Sequence, residues 1–202
     1  MIEEKDMCNK VIGITGKSGS GKSTIAKMIN EIIPNSCVID VDKIGHEALR
    51  NPKILKNLLK KFGDQILDDI GNIDRKKLGA IVFKENSKMK DLTDETYPYI
   101  LQRIDNIVKS AKGIVILDWI LLPEHPIWKN CNLKILIKSD SQIRRDKVIT
   151  RDNISLDYFN AREKTSIEYD LKQFDLIFSN DYMLSTSVNI AHSIVKSLNK
   201  YN

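Results

Sequence analysis

Residues 13–24 read GITGKSGSGKST, and Gly16-Lys17-Ser18-Gly19-Ser20-Gly21-Lys22-Ser23 satisfies G-x-x-x-x-G-K-[ST] in full. Such a loop needs a buried strand before it and a helix after it, so it constrains the fold as well as the chemistry. Both flanks comply. VIGIT (11–15) is an apolar run, and segment 22–33 places Ile25, Ile29, Ile32 and Ile33 on one helical stripe, with Pro34 just beyond. The glycines let backbone N–H groups turn inward without a Cβ clash, and the helix N-terminus adds partial positive charge at the same point. Gly16, Gly19, Ser20, Gly21, Lys22, Ser23 and Thr24 are therefore expected to wrap the phosphates of a nucleoside triphosphate. Lys22 would reach the β- and γ-phosphates and the Ser23 hydroxyl would ligate Mg²⁺.

Four more runs read as strands: CVID (37–40), IVILD (114–118), LKILI (133–137) and FDLIF (174–178). They are nearly continuous in Ile, Val and Leu, the pattern of strands covered on both faces. Helical periodicity fills the intervals at 52–62, 74–83, 87–111, 140–152, 155–172 and 186–199, with Asp74 a plausible N-cap and Pro98 expected to kink or divide the stretch 87–111. Strands alternating with helices predict an α/β domain with a parallel sheet. The helical excursion between the second and third strands, residues 43–112, is too long for a crossover and reads as an inserted substrate-binding subdomain.

The chain of 202 residues carries 32 Lys and Arg against 27 Asp and Glu, a formal +5 that suits anionic ligands. It shows no aromatic-plus-basic stripe and no nucleic-acid motif, so no nucleic-acid partner is expected. Cys8, Cys37 and Cys131 are widely spaced, which argues against a metal or disulfide framework. MIEEKDMCNK lacks an apolar signal core, and runs such as WILL (119–122) are too short to span a bilayer. The expectation is a cytoplasmic protein without a membrane partner, its oligomeric state left open.

VIDVDKIGHEAL places Asp40 and Asp42 at the end of the second strand, where they share a side if the strand runs through 42. In open α/β sheets ligands gather outside the carboxyl ends of the strands. Asp42 is the general-base candidate, able to take the proton of an attacking hydroxyl or hold a water on Mg²⁺. Asp40 is a positioning or substrate-side candidate, and helix capping is the plainer alternative for either. Asp118 ends the third strand and is the other candidate for a Mg²⁺-bound water. His46, close to Asp42 in sequence, is a candidate for touching substrate, with a solvated helix position as the alternative.

QIRRDKVITRDNISLDYFNAREK concentrates Arg144, Arg145, Lys147, Arg151, Arg162 and Lys164. For Arg144, Arg145 and Lys164 a solvated helix face with local ion pairs is the preferred reading. Arg151 stands where the helix gives way to RDNIS, a hinge position from which a lid arginine could offset charge on a transferring phosphoryl group. Lys147, one turn earlier on the same face, and Arg162 join it as substrate-side candidates. No N-K-x-D segment of the guanine-reading type follows, so among phosphate-loop proteins a small-molecule kinase fits best.

With these residues in place, the sequence resembles the dephospho-coenzyme A kinase family from about residue 11 to 182. The resemblance rests on GITGKSGSGKST, VIDVDKIGHEAL, FGDQILDDIGNIDRKKLGAIVF, the Pro-Tyr-Ile of YPYI, the Leu-Leu of WILLPE, TRDNIS and FDLIFSND. It implies a P-loop kinase core with a five-stranded parallel sheet (10–42, 113–139 and 173–202), a helical substrate subdomain (43–112) and a small lid (140–172). It implies transfer of the ATP γ-phosphoryl group to the ribose 3′-hydroxyl of dephospho-coenzyme A, with Mg²⁺. By the same resemblance Asp42 is the catalytic aspartate, Arg151 the lid arginine and Asn180 a residue beside the adenine. The chain departs from the pattern at Tyr97, where the family has His before Pro98, at Trp119-Ile120, where it has Pro before Leu-Leu, at Lys147, where it has Arg, and at Ser166, where it has Gln. These changes fall on the acceptor side and lid. They motivate the alternatives of a divergent kinase acting on a nucleoside or nucleoside monophosphate, or a non-catalytic ATP-binding protein.

Overall fold

VIGIT becomes the centre of the sheet because all of its side chains can be covered: β1 (Val11–Thr15) is buried along its whole length, as is β3 (Ile114–Asp118). In this computed structural model, which describes residues 10–164 and 166–198, they are joined by β2 (Ser36–Asp40), β4 (Leu133–Lys138) and β5 (Leu176–Ser179). The order is β2-β3-β1-β4-β5 and every pairing is parallel. Burial on both faces holds for the inner strands only. β5 alternates half-buried with exposed residues, and β2 fully buries only Ile39. Both are edge strands with a strand neighbour on one side, so more of their surface meets solvent. Cys8 and the last position of the stretch 186–199 lie outside those described.

The chain leaves β1 toward β2 on one side and leaves β3 toward β4 on the other. The carboxyl ends of β1 and β3 therefore flank the switch point at which an open α/β sheet binds its ligand. Behind them, α1 (Lys22–Ile32) and α8 (Leu184–Leu198) close one core, in which Ile25, Ala26 and Ile29 pack with Ile190, Ala191 and Ile194. Each buried isoleucine is worth about 1.5–3 kcal/mol, so α1, and with it the loop it begins, is anchored by its apolar stripe.

The chain divides into two compact units. One comprises the residues through Asp40, Ile107–Asn153 and those from Ile167 onward; the other comprises Val41–Asn106 and Ile154–Ser166. The second holds α2 (Val41–Ala48), α3 (Pro52–Phe62), α4 (Arg75–Val82), most of α5 (Asn86–Ser110) and α7 (Leu156–Lys164). Its core is Ala48, Ile54, Leu58, Phe62, Ile66, Leu78 and Val82. Asn51 caps α3 by accepting from Lys53 N at 3.0 Å and Ile54 N at 3.4 Å. Asp74 caps α4 by accepting from Lys76 N at 2.8 Å and Lys77 N at 3.1 Å. Those backbone donors, Lys77 first, hold the Asp74 carboxyl below its ordinary range. The stretch 140–172 is shared out, with α6 (Ser141–Asp152) in the first unit and α7 in the second.

Three local expectations change. β2 stops at Asp40 and α2 begins at Val41, so the alternating geometry that would have aligned Asp40 with Asp42 does not apply. The spacing of Val41, Ile44 and Ala48 gives α2 a buried stripe, which outweighs continuation of the strand. Pro98 does not divide α5, which runs unbroken through it. A proline there removes one backbone donor, and the buried Thr96, Ile100 and Ile104 supply a packed face that carries the helix across the gap. α7 ends at Lys164 rather than near 172, and the chain enters a short 3₁₀ turn at Leu171–Gln173. Only Phe159 of α7 is buried, too little apolar face to extend it.

Candidate active site

The phosphate loop has the shape its sequence requires. Gly19 and Gly21 sit at φ of 84° and 89°, where side-chain-bearing residues are strained. A Cβ on Gly19 would lie 2.5 Å from Val148 Cγ2, and one on Gly21 would collide with Asn180 Nδ2. Gly21 is the N-cap of α1 and offers no side-chain acceptor, and the first turn of that helix contains no acidic residue. The partial positive charge of the helix start is thus left for an external anion. Ser20 Oγ is buried and has no hydrogen-bond partner among the described residues. A buried hydroxyl in this position is a donor awaiting an acceptor. These features fit the phosphates of a nucleotide. Ser23 is half-buried and Thr24 exposed at the same helix start.

Three successive loop carbonyls accept hydrogen bonds from side chains far away in sequence. Arg144 Nη1 donates to Ser18 O at 3.2 Å, Tyr182 Oη to Gly19 O at 2.9 Å, and Asn180 Nδ2 to Ser20 O at 3.0 Å. Asn180 is itself fixed, its Oδ1 accepting from Tyr182 N at 3.1 Å and Ser187 Oγ at 3.3 Å. Arg144 is buried at 6% exposure, which overturns the solvated-face expectation for this residue. It lies on the inner face of α6 with Val148, under the loop, and its guanidinium finds a carbonyl acceptor there. Arg145 keeps the expected surface character, pairing with Asp146 at 2.9 Å, and Lys164 is exposed. Arg151, near the end of α6, forks onto Asp152 at 2.7 and 3.0 Å and donates to Ser18 Oγ at 3.3 Å. Lys147 is exposed, and its ammonium lies 4.6 Å from the centre of the Tyr182 ring.

Lys22 is 7% exposed, and its Nζ lies 3.8 Å from Oδ1 of Asp118, which is 2% exposed. The loop lysine and the last residue of β3 therefore face one another across the switch point. Asp118 pairs in register with Asp40, the last residue of β2. Asp42 follows two residues later in the first turn of α2, where it is exposed. In the second unit His46 is exposed, and Arg75 Nη1 lies 2.9 and 3.0 Å from its two ring nitrogens, so one nitrogen accepts from the guanidinium. Arg162 is half-buried on α7. Tyr97 is half-buried within α5. Trp119 is buried beside the His125 ring at 5.4 Å, and Ile120 O accepts from Thr15 Oγ1 and Tyr169 Oη, each at 3.0 Å. Among the described residues no group of three or more His, Cys, Asp or Glu is placed to hold a metal ion, and no helix is long and apolar enough to cross a membrane.

Sequence reasoning missed Arg144 and Tyr182. Arg144 carried a signal: with Val148 it forms an i, i+4 pair in line with the buried face of α6, so its side chain was pointed inward. Tyr182 carried none, because nothing in NDYM announces contact with a loop 163 residues earlier.

The model of the family described as dephospho-CoA kinase matches residues 10–186. The chain belongs to that family. It is 33% identical over 196 residues to a dephospho-CoA kinase of Aquifex aeolicus, covering 95% of this chain and 98% of the relative. It is 36% identical to one from Clostridium tetani, covering 84% of this chain and 77% of the relative. Among solved structures, a Thermus thermophilus protein superposes with a TM-score of 0.74 at 22% identity, over 95% of this chain and 98% of that one, and supports the fold. A dephospho-CoA kinase from Campylobacter jejuni matches with a TM-score of 0.59 at 25% identity, over 94% of this chain and 97% of that one. The protein is a kinase, a phosphotransferase with an alcohol acceptor, and its sheet is the five-stranded parallel core expected of a P-loop kinase.

Proposed function

We propose that this kinase transfers the γ-phosphoryl group of ATP to the ribose 3′-hydroxyl of dephospho-coenzyme A, the last step in making coenzyme A. The observation that carries the reading is the open, glycine-shaped start of α1, with Lys22 facing Asp118 at the switch point, in a chain whose family match runs from residue 10 to 186. Gly16 through Thr24 bind the phosphates and Asn180 holds the loop beside the base. Asp42 accepts the proton of the attacking hydroxyl, which becomes a better nucleophile as the O–H bond breaks. Lys22 and Arg151 offset the charge that spreads over the transferring group. The ion pair of Arg151 with its neighbour Asp152 is close but partly exposed, so water screens it and the arginine is available to turn toward phosphate. Asp40, His46, Lys147 and Arg162 serve the acceptor side. Ser23 would hold Mg²⁺ directly and Asp42 or Asp118 through water; the ion would supply positive charge to offset that of the phosphates. The enzyme acts in the cytoplasm on small molecules, with residues 43–112 as the acceptor-binding part and 140–172 as the lid.

The test is ADP release from Mg-ATP with dephospho-coenzyme A, run beside a panel of nucleosides and nucleoside monophosphates, with Asp42→Asn as the control. Turnover on dephospho-coenzyme A alone, lost in the variant, supports the proposal. Turnover confined to another acceptor would reassign the substrate to the side changed at Tyr97, Ile120 and Ser166. Tight ATP binding without transfer to any acceptor would leave a binding protein.

A further inference from the structure

Three side chains reach the successive carbonyls of the phosphate loop from distant parts of the chain. We propose that Arg144 and Tyr182, with Asn180 between them, form a clasp that presets the loop for phosphate, so that both are positioning residues of the kinase reaction. The proposal rests on the reading that this loop binds the nucleotide's phosphates.

A peptide unit is planar, and in the trans form its C=O and N–H point in opposite directions. No cis bond occurs among the described residues. Pinning the oxygen of one residue therefore fixes the N–H of the next. The Arg144 bond to Ser18 O sets the direction of the Gly19 N–H, and the Asn180 bond to Ser20 O sets that of the Gly21 N–H; both are turned away from their clasp. The Tyr182 bond holds the peptide between them, whose N–H closes the loop's own turn from Ser20 N to Lys17 O at 3.0 Å. Glycine-rich backbone would otherwise sample many states, and ordering it on binding costs conformational entropy at each residue. A clasp made before the ligand arrives removes part of that cost from the binding step.

Tyr182 bears a cost of its own. It adopts φ of 68°, a left-handed conformation in which the Cβ of a non-glycine residue crowds the following carbonyl. What keeps it there is visible: its N–H on Asn180 Oδ1, its hydroxyl on Gly19 O and the Lys147 ammonium over its face. A residue strained for packing alone would not also spend its only hydroxyl proton on a loop glycine.

The experiment uses inorganic tripolyphosphate as probe, measured by calorimetry on the full chain, because it has no base or sugar and reports on the loop alone. Tyr182→Phe keeps the ring, the strain and the Lys147 contact and removes only the hydroxyl. It should weaken tripolyphosphate about 5-fold, as expected for one neutral hydrogen bond, and lower Tm by only about 2–4 °C. Tyr182→Gly relieves the strain and should weaken the probe to the same degree. Arg144→Met keeps the side-chain stem beside Gly19 and loses the donors; it should cost about 10-fold or more, and Arg144→Lys should recover part of it. In turnover the KM for ATP should rise more than kcat falls. Probe affinity in Tyr182→Phe within twofold of wild type overturns the clasp, whether or not Arg144→Met folds. Failure of the wild-type protein to bind tripolyphosphate or ATP at all would instead overturn the nucleotide reading beneath it.

Discussion

Asp118→Asn exchanges the carboxylate opposite Lys22 for a neutral side chain of nearly the same shape. Both groups are almost wholly buried, at side-chain exposures of 9% and 3%, with Nζ and Oδ1 3.8 Å apart. At that separation, with an effective dielectric near 20, the attraction is about 4 kcal/mol. The asparagine recovers some of the desolvation that the carboxylate suffers, so the net loss of stability without ligand should be about 3 kcal/mol. For a chain of this length that lowers Tm by roughly 6–12 °C. The informative measurement is the second one, the rise in Tm with ATP and no divalent cation. In the native protein the phosphates must draw Lys22 away from Asp118 and then sit near its charge, so removing the carboxylate should enlarge the rise. Turnover with Mg²⁺ should nevertheless fall if Asp118 also orients a metal-bound water. An unchanged Tm without ligand would show that the pair carries no stability. An unchanged rise with metal-free ATP would show that Asp118 is not the group from which the nucleotide takes Lys22.

Four further outcomes are open to measurement. Asp42→Asn should keep ATP affinity and lower kcat by about 10²-fold or more, read by steady-state kinetics beside calorimetric binding; an equal loss of ATP affinity would make Asp42 a metal-site residue. Lys22→Ala should lose nucleotide binding and turnover together, and a fully active variant would refute the loop assignment. Gly21→Ala forces a Cβ into a left-handed position against Asn180 Nδ2 and should cost about 1–3 kcal/mol in denaturant titration as well as nucleotide binding. The Cys131 thiol, pushed up to about 12 by burial, should resist alkylation at pH 8 in the folded protein and react once unfolded, as followed by mass spectrometry.

The elements that sequence could reveal are those whose physics is local or periodic. VIGIT, the glycine spacing and the Ile25-Ile29-Ile33 stripe specify strand, loop and helix within 23 residues, and the structure reproduces them closely. Asp42 was visible as a residue of interest, but its setting was not, because the choice between one more strand residue and a new helix depended on burying Val41, Ile44 and Ala48, the last of them in a core assembled from α3 and α4. The helix through Pro98 likewise depended on a packed face rather than on local propensity.

The same distinction separates what the phosphate loop is from what makes it work. Its motif specifies a backbone path and a set of N–H donors, and any chain bearing the motif would display these. The motif does not specify where the carbonyls on the other side of those peptides go, yet each buried carbonyl must be paired. Here the partners come from the start of α6 and from the turn after β5, 126, 163 and 160 residues away for Arg144, Tyr182 and Asn180. Parallel topology brings them together: β4 and β5 follow β1 on one side of the sheet, so their carboxyl ends deliver α6 and the 180–182 turn alongside the loop. α6 also carries Arg151 to Ser18 Oγ. One helix therefore holds a loop carbonyl with a buried arginine and meets a loop hydroxyl with an exposed one, and a change in the second contact on nucleotide binding can leave the first in place.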